Sequence, residues 1–285
     1  MPSAVPRPLA SVAGRLRCPV CSEPLAPTEG ALTCSRAHSF DVAREGYVTL
    51  FQTGVGHAFG DDGRMVTARA SVEQAGHFAP LTAALVQTAS GFTGADTALV
   101  LDVGAGTGYH LAGILGSLPR AGGVALDASR PAARAAGRAH EAIAAVRADV
   151  WRQIPLADRA VDLALNVFAP RNGPELGRVV RPGGTMLSVT PTARHLRELA
   201  PLHSIRIDPD KAARLRRALD PWFQPISVRP ITWTLQLSRE QAAAVLRMGP
   251  AARHLRPDFD GRLATLGEPI PVTGAVRLRV FERRA

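Results

Sequence analysis

Lysine, cysteine and long apolar runs are all scarce in this chain of 285 residues. Lys211 is the only lysine, so arginine carries nearly all of the positive charge. No apolar run approaches the ~20 residues that a membrane-spanning helix needs. The N-terminal residues lack the apolar core of a secretion signal. These absences predict a soluble, cytoplasmic protein that does not enter a membrane.

The positive charge is large, with a formal net value of +10. Such an excess favours a polyanionic partner, RNA or DNA, that is held through its phosphates. A GC-rich genome would also produce a bias toward arginine and alanine, so both explanations stay open. The length is sufficient for one α/β domain and a small additional module.

The few cysteines all lie close together near the N-terminus. The spacing C-x2-C, twelve residues, C-x3-H is formed by Cys18, Cys21, Cys34 and His38. Three thiolates and an imidazole complete a tetrahedral zinc shell and leave no position for a reacting water, so this zinc would be structural. Reduced thiols beside a chance histidine are the alternative. We predict a zinc-binding module over residues 14–50, preceded by a flexible tail over residues 1–13.

A buried strand that runs into a glycine-rich turn stands near the middle of the chain. Leu99-Val100-Leu101 is typical of a strand covered on both faces, and Asp102 follows it. Glycines at alternate positions let the backbone turn tightly and approach a ligand, and the turn then opens a helix. The turn comprises Gly104, Gly106, Thr107 and Gly108. This element resembles motif I of the class I S-adenosylmethionine-dependent methyltransferases; a tight turn in another α/β protein is the alternative.

Strands and helices alternate after this turn, which predicts a parallel, doubly wound sheet. The strand of residues 123–126 ends at Asp127, where a carboxylate accepts hydrogen bonds from ribose hydroxyls. The strand of residues 143–148 ends at Asp149, which would either reach an adenine edge or cap a loop.

Two helices are predicted before the first strand of this sheet, with a break at His77 and Phe78. Helices in this place cover the ligand crevice of doubly wound folds. We therefore interpret residues 51–90 as a linker and helices covering the cofactor site. Ordinary core packing would explain the two ring side chains equally well. The remaining residues, 91–285, form the predicted catalytic domain.

Together these features resemble one family, the bacterial 23S rRNA (guanine-N1)-methyltransferases, which include tylosin-resistance enzymes. The resemblance covers nearly the whole chain. It is carried by the zinc ligands and by residues 38–48, 68–69, 76–81, 102–108, 166–170 and 191–196. It implies a class I (Rossmann-like) methyltransferase domain with a mostly parallel seven-stranded sheet, S-adenosylmethionine as cofactor, and a zinc module that helps to hold RNA. It also implies that Phe78, the glycine turn and His195 contact the cofactor.

Methyl transfer to guanine N1 requires a base aligned with the cofactor and loss of the N1 proton. Asn166, at the end of the fourth strand, would orient the base edge, and Phe168 would stack on an extruded guanine. The resemblance implies a target in a hairpin of domain II, at nucleotide 748 or 745. Residues 166–172 are more similar to the branch that modifies nucleotide 748.

A dense basic stretch covers residues 191–221. Within it, Arg206, Arg214 and Arg217 are predicted phosphate contacts with 23S rRNA. A solvated helix face is the alternative reading of this stretch.

Two other functions remain open at this level. A small-molecule methyltransferase would share the glycine turn but would need neither the zinc module nor the basic excess. A non-enzymatic, zinc-bearing RNA-binding protein would keep the charge but would not need Asp102, Gly106 and Asp127 at cofactor spacing. The sequence leaves the oligomeric state open, a homodimer included, and does not identify the group that accepts the N1 proton.

Overall fold

The computed structural model describes residues 4–51, 60–91, 98–204 and 217–285. Its helices are α1 Arg7–Val12, α2 Gly63–Gln74, α3 Ala79–Ser90, α4 Tyr109–Ser117, α5 Arg130–Ala136, α6 Gly173–Val179, α7 Arg239–Arg247 and α8 Phe259–Ala264. Its strands are β1 Leu25–Pro27, β2 Ala31–Cys34, β3 Ser39–Asp41, β4 Tyr47–Thr49, β5 Leu99–Val103, β6 Gly122–Asp127, β7 Ile143–Arg147, β8 Val161–Val167, β9 Val180–Pro191, β10 Phe223–Leu237 and β11 Ile270–Arg283. Most of the predicted linker and two of the predicted phosphate contacts, Arg206 and Arg214, lie outside the described residues.

The main sheet has the strand order β10-β11-β9-β8-β5-β6-β7-β4. The six strands from β9 to β4 in this order run parallel to one another. Strand β11 pairs antiparallel with β9, and β10 pairs antiparallel with β11. The predicted doubly wound, mostly parallel sheet is therefore confirmed.

The predicted number of seven strands is wrong by one. The eighth strand, β4, comes from the end of the predicted zinc module and pairs in parallel with β7, with Tyr47 opposite Ala145. Without β4, the edge of β7 would expose unpaired N–H and C=O groups. The three residues of β4 provide hydrogen-bond partners for these groups. The predicted zinc-binding module and the predicted catalytic domain thus share one sheet.

The core lies on both faces of the central strand β5, whose five residues are all buried. On one face Leu101 packs in a cluster with Leu9 and Leu16. On the other face Val100 packs in a cluster with Leu81 and Leu111. Burial on both faces explains why this strand is continuously apolar until Asp102.

The predicted flexible tail over residues 1–13 is wrong for α1. Leu9 and Val12 are spaced to lie on one side of this helix, and they are 0% and 4% exposed. They join the cluster beneath β6 and β7. Burial of these two side chains offsets the entropy lost when the segment becomes ordered.

The small sheet β1-β2-β3 is antiparallel, and the residues just before it contact the segment that precedes β8. Leu16 forms a β-bridge with Leu156, and the N–H of Arg17 donates to the carbonyl of Pro155 at 3.0 Å. These contacts fix the position of the small sheet relative to the main sheet.

The predicted pair of helices before β5 is present. Asp62 caps α2 by accepting the N–H of Met65 at 2.9 Å. The chain turns at Gly76, where φ is +77°, and Pro80 lies in the first turn of α3. None of the described helices has the length and apolar character needed to cross a membrane.

Candidate active site

The glycine turn joins β5 to α4 at the carboxyl edge of the main sheet. Gly104, Gly106 and Gly108 have φ values of +71°, +56° and +79°, in the left-handed region that favours glycine. The N–H of Gly104 donates to the carbonyl of Leu126 at 2.8 Å, which ties the turn to the end of β6. A Cβ atom at Gly104 would lie 2.6 Å from the Cβ of Ala169. The turn therefore has no room for a side chain at this position.

Asp127, at the end of β6, holds the glycine turn in shape. Its Oδ2 accepts the N–H of Gly106 at 2.9 Å, and its Oδ1 accepts the N–H of Ser129 at 2.8 Å. Burial raises the pKa of this carboxyl group, while the two backbone donors oppose the rise. Each carboxylate oxygen has a further lone pair, so Asp127 can still accept a bond from a ribose hydroxyl. That contact stays a prediction.

Asp102 lies one residue before the end of β5 and is 3% exposed. Burial, aided by the negative charge of Asp127, raises its pKa from 3.8 to about 7. A carboxyl group with this pKa is partly protonated at neutral pH, so it can donate a hydrogen bond as well as accept one. Its role in cofactor binding stays a prediction.

Helix α2 covers the glycine turn with two charged side chains that sequence reasoning missed. The hydroxyl of Thr107 donates to Oε2 of Glu73 at 2.6 Å, and burial raises the pKa of Glu73 to about 7. Arg69 lies over Gly106, because a Cβ atom at Gly106 would be 2.6 Å from Nη1 of Arg69. Arg69 also forms an ion pair with Asp61 at 2.5 Å. The i,i+4 spacing of Arg69 and Glu73, which places both on one helix face, was the available signal.

Four ring side chains from separate segments pack together at the same edge of the sheet. Phe78 meets Trp233 edge-on with ring centroids 5.9 Å apart. His195 lies 6.2 Å from Trp233 and stacks on Phe168, with centroids 5.6 Å apart and planes 24° apart. The indole N–H of Trp233 donates to the carbonyl of His77 at 2.8 Å. The structure thus brings three predicted site residues together through Trp233, which sequence reasoning missed.

The loop after β8 presents Phe168 at this edge. Asn166 is fully buried, and its Nδ2 donates to the carbonyl of Pro170 at 2.7 Å. Phe168 has a left-handed φ of +56° and is 41% exposed. Asn166 therefore fixes the loop from inside, while Phe168 keeps an open ring face. Direct contact of either side chain with a base stays a prediction.

Asp149, at the end of the third predicted strand, caps the turn that follows. Its Oδ1 accepts the N–H of Trp151 at 2.9 Å. This is one of the two roles that the sequence left open for it. The other role, contact with an adenine edge, stays a prediction.

The four predicted zinc ligands converge, and their ligand atoms all lie within 4.8 Å of one another. The Sγ atoms of Cys21 and Cys34 are 3.7 Å apart, and Nδ1 of His38 is 3.3 Å from Sγ of Cys34 and 3.6 Å from Sγ of Cys18. A tetrahedral shell with Zn–S bonds of about 2.3 Å has S–S edges of about 3.8 Å, so the cluster fits zinc. Four protein ligands leave no open position, which fits a structural role.

Known proteins are similar to this chain, both in the zinc-binding segment and over most of its length. The zinc-ribbon family described as "RlmA, N-terminal" matches residues 16–52. A Micromonospora griseorubida protein named, provisionally, a 23S rRNA (guanine-N1)-methyltransferase is 45% identical over 92% of this chain and 95% of its own length. The Streptomyces fradiae 23S rRNA (guanine(748)-N1)-methyltransferase is 45% identical over 85% of this chain and 87% of its own length.

A more distant Bacillus subtilis protein, YxjB, carries the same provisional name and is 32% identical over 64% of this chain and 66% of its own length. Two of these relatives match more than four fifths of this chain. The chain therefore belongs to the 23S rRNA (guanine-N1)-methyltransferase family and is an S-adenosylmethionine-dependent enzyme with an N-terminal zinc ribbon.

Proposed function

We propose that this enzyme methylates N1 of guanine 748 in 23S rRNA. The Streptomyces fradiae relative, 45% identical to this chain, carries that nucleotide in its name. The observation that carries the proposal is the stacking of the exposed Phe168 ring on His195, beside the glycine turn. An exposed ring at this edge offers an extruded base a stacking surface close to the cofactor.

The residues around the glycine turn would bind the cofactor. S-adenosylmethionine supplies a methyl group on a sulfonium centre, a strong electrophile that needs alignment more than activation. Asp127 would accept a bond from a ribose hydroxyl, and the glycine backbone would let the ligand approach closely. Phe78 and His195, joined through Trp233, would form the wall of the crevice on the side of the target base.

The base would be positioned by the loop after β8. Guanine N1 carries a proton at neutral pH and becomes nucleophilic only when that proton leaves. Phe168 would hold the guanine in plane, and Asn166 would act through its bond to Pro170 as a positioning residue for this loop. Packing of Ala169 against Gly104 holds the loop beside the glycine turn, where the cofactor would bind.

The zinc ribbon would contribute to recognition of 23S rRNA in the cytoplasm. Its fixed attachment at Leu16 and Arg17 would let it act as a rigid arm next to the catalytic edge. Methylation would remove a donor from the Watson–Crick edge and add bulk. Reduced susceptibility to macrolides such as tylosin is the expected consequence.

Transfer of a labelled methyl group to a transcript of the domain II hairpin tests this function. The matched control is the same hairpin with adenine in place of guanine 748. We expect incorporation into the first transcript and none into the second. Equal incorporation into both transcripts, or none into either, would contradict the proposal.

A further inference from the structure

Arg171 lies in the loop after β8, three positions after Phe168. It is half-buried, and its Nε lies 3.5 Å from the hydroxyl oxygen of Ser188, which is fully buried on β9. Across the part of the chain that the structure describes, no carboxylate forms an ion pair with Arg171. A partly desolvated guanidinium without an opposite charge is costly to the fold.

A second arginine projects onto the same face of the sheet. Arg279 on β11 is paired in register with Ser188, and Ser188 is paired with Asn166 on β8. Side chains at paired positions share a face, so these three lie side by side with Arg279 next to the serine that contacts Arg171. Nη1 of Arg279 donates to the hydroxyl oxygen of Thr190 at 2.7 Å, which fixes its direction.

The two guanidinium groups affect each other electrostatically. Burial, together with the positive charge of Arg279, lowers the pKa of Arg171 to about 10. Arg171 remains protonated at neutral pH, so two like charges are held close to hydroxyl groups. An anion bound beside Arg171 would accept hydrogen bonds from its guanidinium group and offset the repulsion that Arg171 experiences.

We propose that Arg171 binds a backbone phosphate of the RNA strand next to the extruded guanine. The inference rests on the proposed function, which brings RNA to the Phe168 loop. The carboxylate of the cofactor is the other anion in the system. Equal affinity for S-adenosylmethionine in the Arg171 variants, measured below, separates the RNA phosphate from that carboxylate.

Arg171→Gln tests the phosphate site, with Arg138→Gln as the matched control. Arg138 is an exposed arginine just after the end of α5, a helix that starts at the carboxyl edge of the sheet and runs away from it. Affinity for the domain II hairpin is measured over a range of KCl concentrations. We expect Arg171→Gln to bind on the order of tenfold more weakly at low salt. Its log–log salt slope should fall by about 0.7–0.9, the value for one phosphate contact.

Two further readouts separate this inference from folding and from the proposed function. Inorganic phosphate should raise the Tm of the parent and of Arg138→Gln but not that of Arg171→Gln, and affinity for S-adenosylmethionine should be equal in all three. Arg171→Lys, which keeps the charge, should restore the salt slope. Parent-like RNA affinity and salt slope in Arg171→Gln would overturn the phosphate site. If the parent still methylates guanine 748, that result would leave the proposed function standing.

Discussion

The ring of Phe168 stacks on the imidazole of His195, with centroids 5.6 Å apart and planes 24° apart. The two residues come from the loops after β8 and β9, which run side by side in parallel. Nδ1 of His195 accepts the N–H of Ala275 at 3.2 Å, so the imidazole is oriented by β11 before any base arrives. One face of Phe168 is thus supported by protein, and 41% of the residue remains exposed.

Phe168→Leu should weaken binding of the target base but leave binding of the cofactor unchanged. Loss of a base-stacking ring costs about 1–3 kcal/mol, so kcat/KM for the RNA should fall by roughly 5- to 150-fold. Phe168→Tyr keeps the ring and serves as the control. Affinity for S-adenosylmethionine, measured by calorimetry, should be unchanged in both variants. A Phe168→Leu enzyme with the parent's kcat/KM would remove this residue from the account.

Asp127→Ala should weaken cofactor binding by about 1–3 kcal/mol, because a buried charged hydrogen bond to a ribose hydroxyl is lost. The variant also leaves the N–H groups of Gly106 and Ser129 without their acceptor. Asp127→Asn keeps an oxygen acceptor and should lose less affinity for the cofactor.

Gly106→Val should fail to bind the cofactor, since its side chain would meet Arg69 and strain a left-handed backbone. Calorimetry with S-adenosylmethionine decides this, and parent-like affinity in both Asp127→Ala and Gly106→Val would place the cofactor elsewhere.

Asp102 predicts a pH dependence of stability. Its pKa rises from 3.8 to about 7 on folding, so the folded state binds the proton more tightly between these values. The stabilisation from this proton is complete below about pH 3.8 and is lost as the pH rises through about 7. Asp102→Asn should therefore raise the Tm of the cofactor-free protein at pH 8 more than at pH 5, by about 2–4 °C for each kcal/mol. An identical change in Tm at both pH values would contradict burial as the cause.

The zinc cluster predicts a graded effect of metal loss. Cys18→Ser should release zinc and unfold β1, β2 and β3, because so small a sheet depends on its metal. The Tm of the whole chain should also fall, since Leu16 and Leu9 share a cluster with the main sheet. RNA affinity should fall more than cofactor affinity. Zinc content, Tm and both affinities are measured together, and a zinc-free variant that methylates rRNA at the parent's rate would refute an RNA-binding role.

Much of this structure could be predicted from local patterns in the sequence. The strand, the glycine turn and the zinc spacing each lie within a short stretch, and physical rules about burial, left-handed φ angles and ligand number apply to them directly. Serine is a common helix N-cap, and the hydroxyl of Ser129 accepts the N–H of Ala132 at 3.1 Å at the start of α5.

Features that depend on distant pairing were missed. Trp233 reaches the site from β10, 156 positions after the His77 carbonyl that it contacts. Strand β4 has three residues, too few to show the alternation of apolar and polar side chains that marks a strand. It forms by pairing with the edge of β7. Arg171 lies within residues 166–172, but its half-buried position beside Ser188 depends on the neighbouring strand β9. These relationships become visible only when the register of the sheet is known.

Primer extension on 23S rRNA tests the central claim most directly. A methyl group on guanine N1 blocks Watson–Crick pairing, so reverse transcriptase halts at the modified nucleotide. The account predicts a halt at guanine 748 in rRNA from cells that express this enzyme and none in rRNA from cells without it. A halt at guanine 745 alone would overturn the assignment of the nucleotide, and the absence of any enzyme-dependent halt in 23S rRNA would contradict the account as a whole.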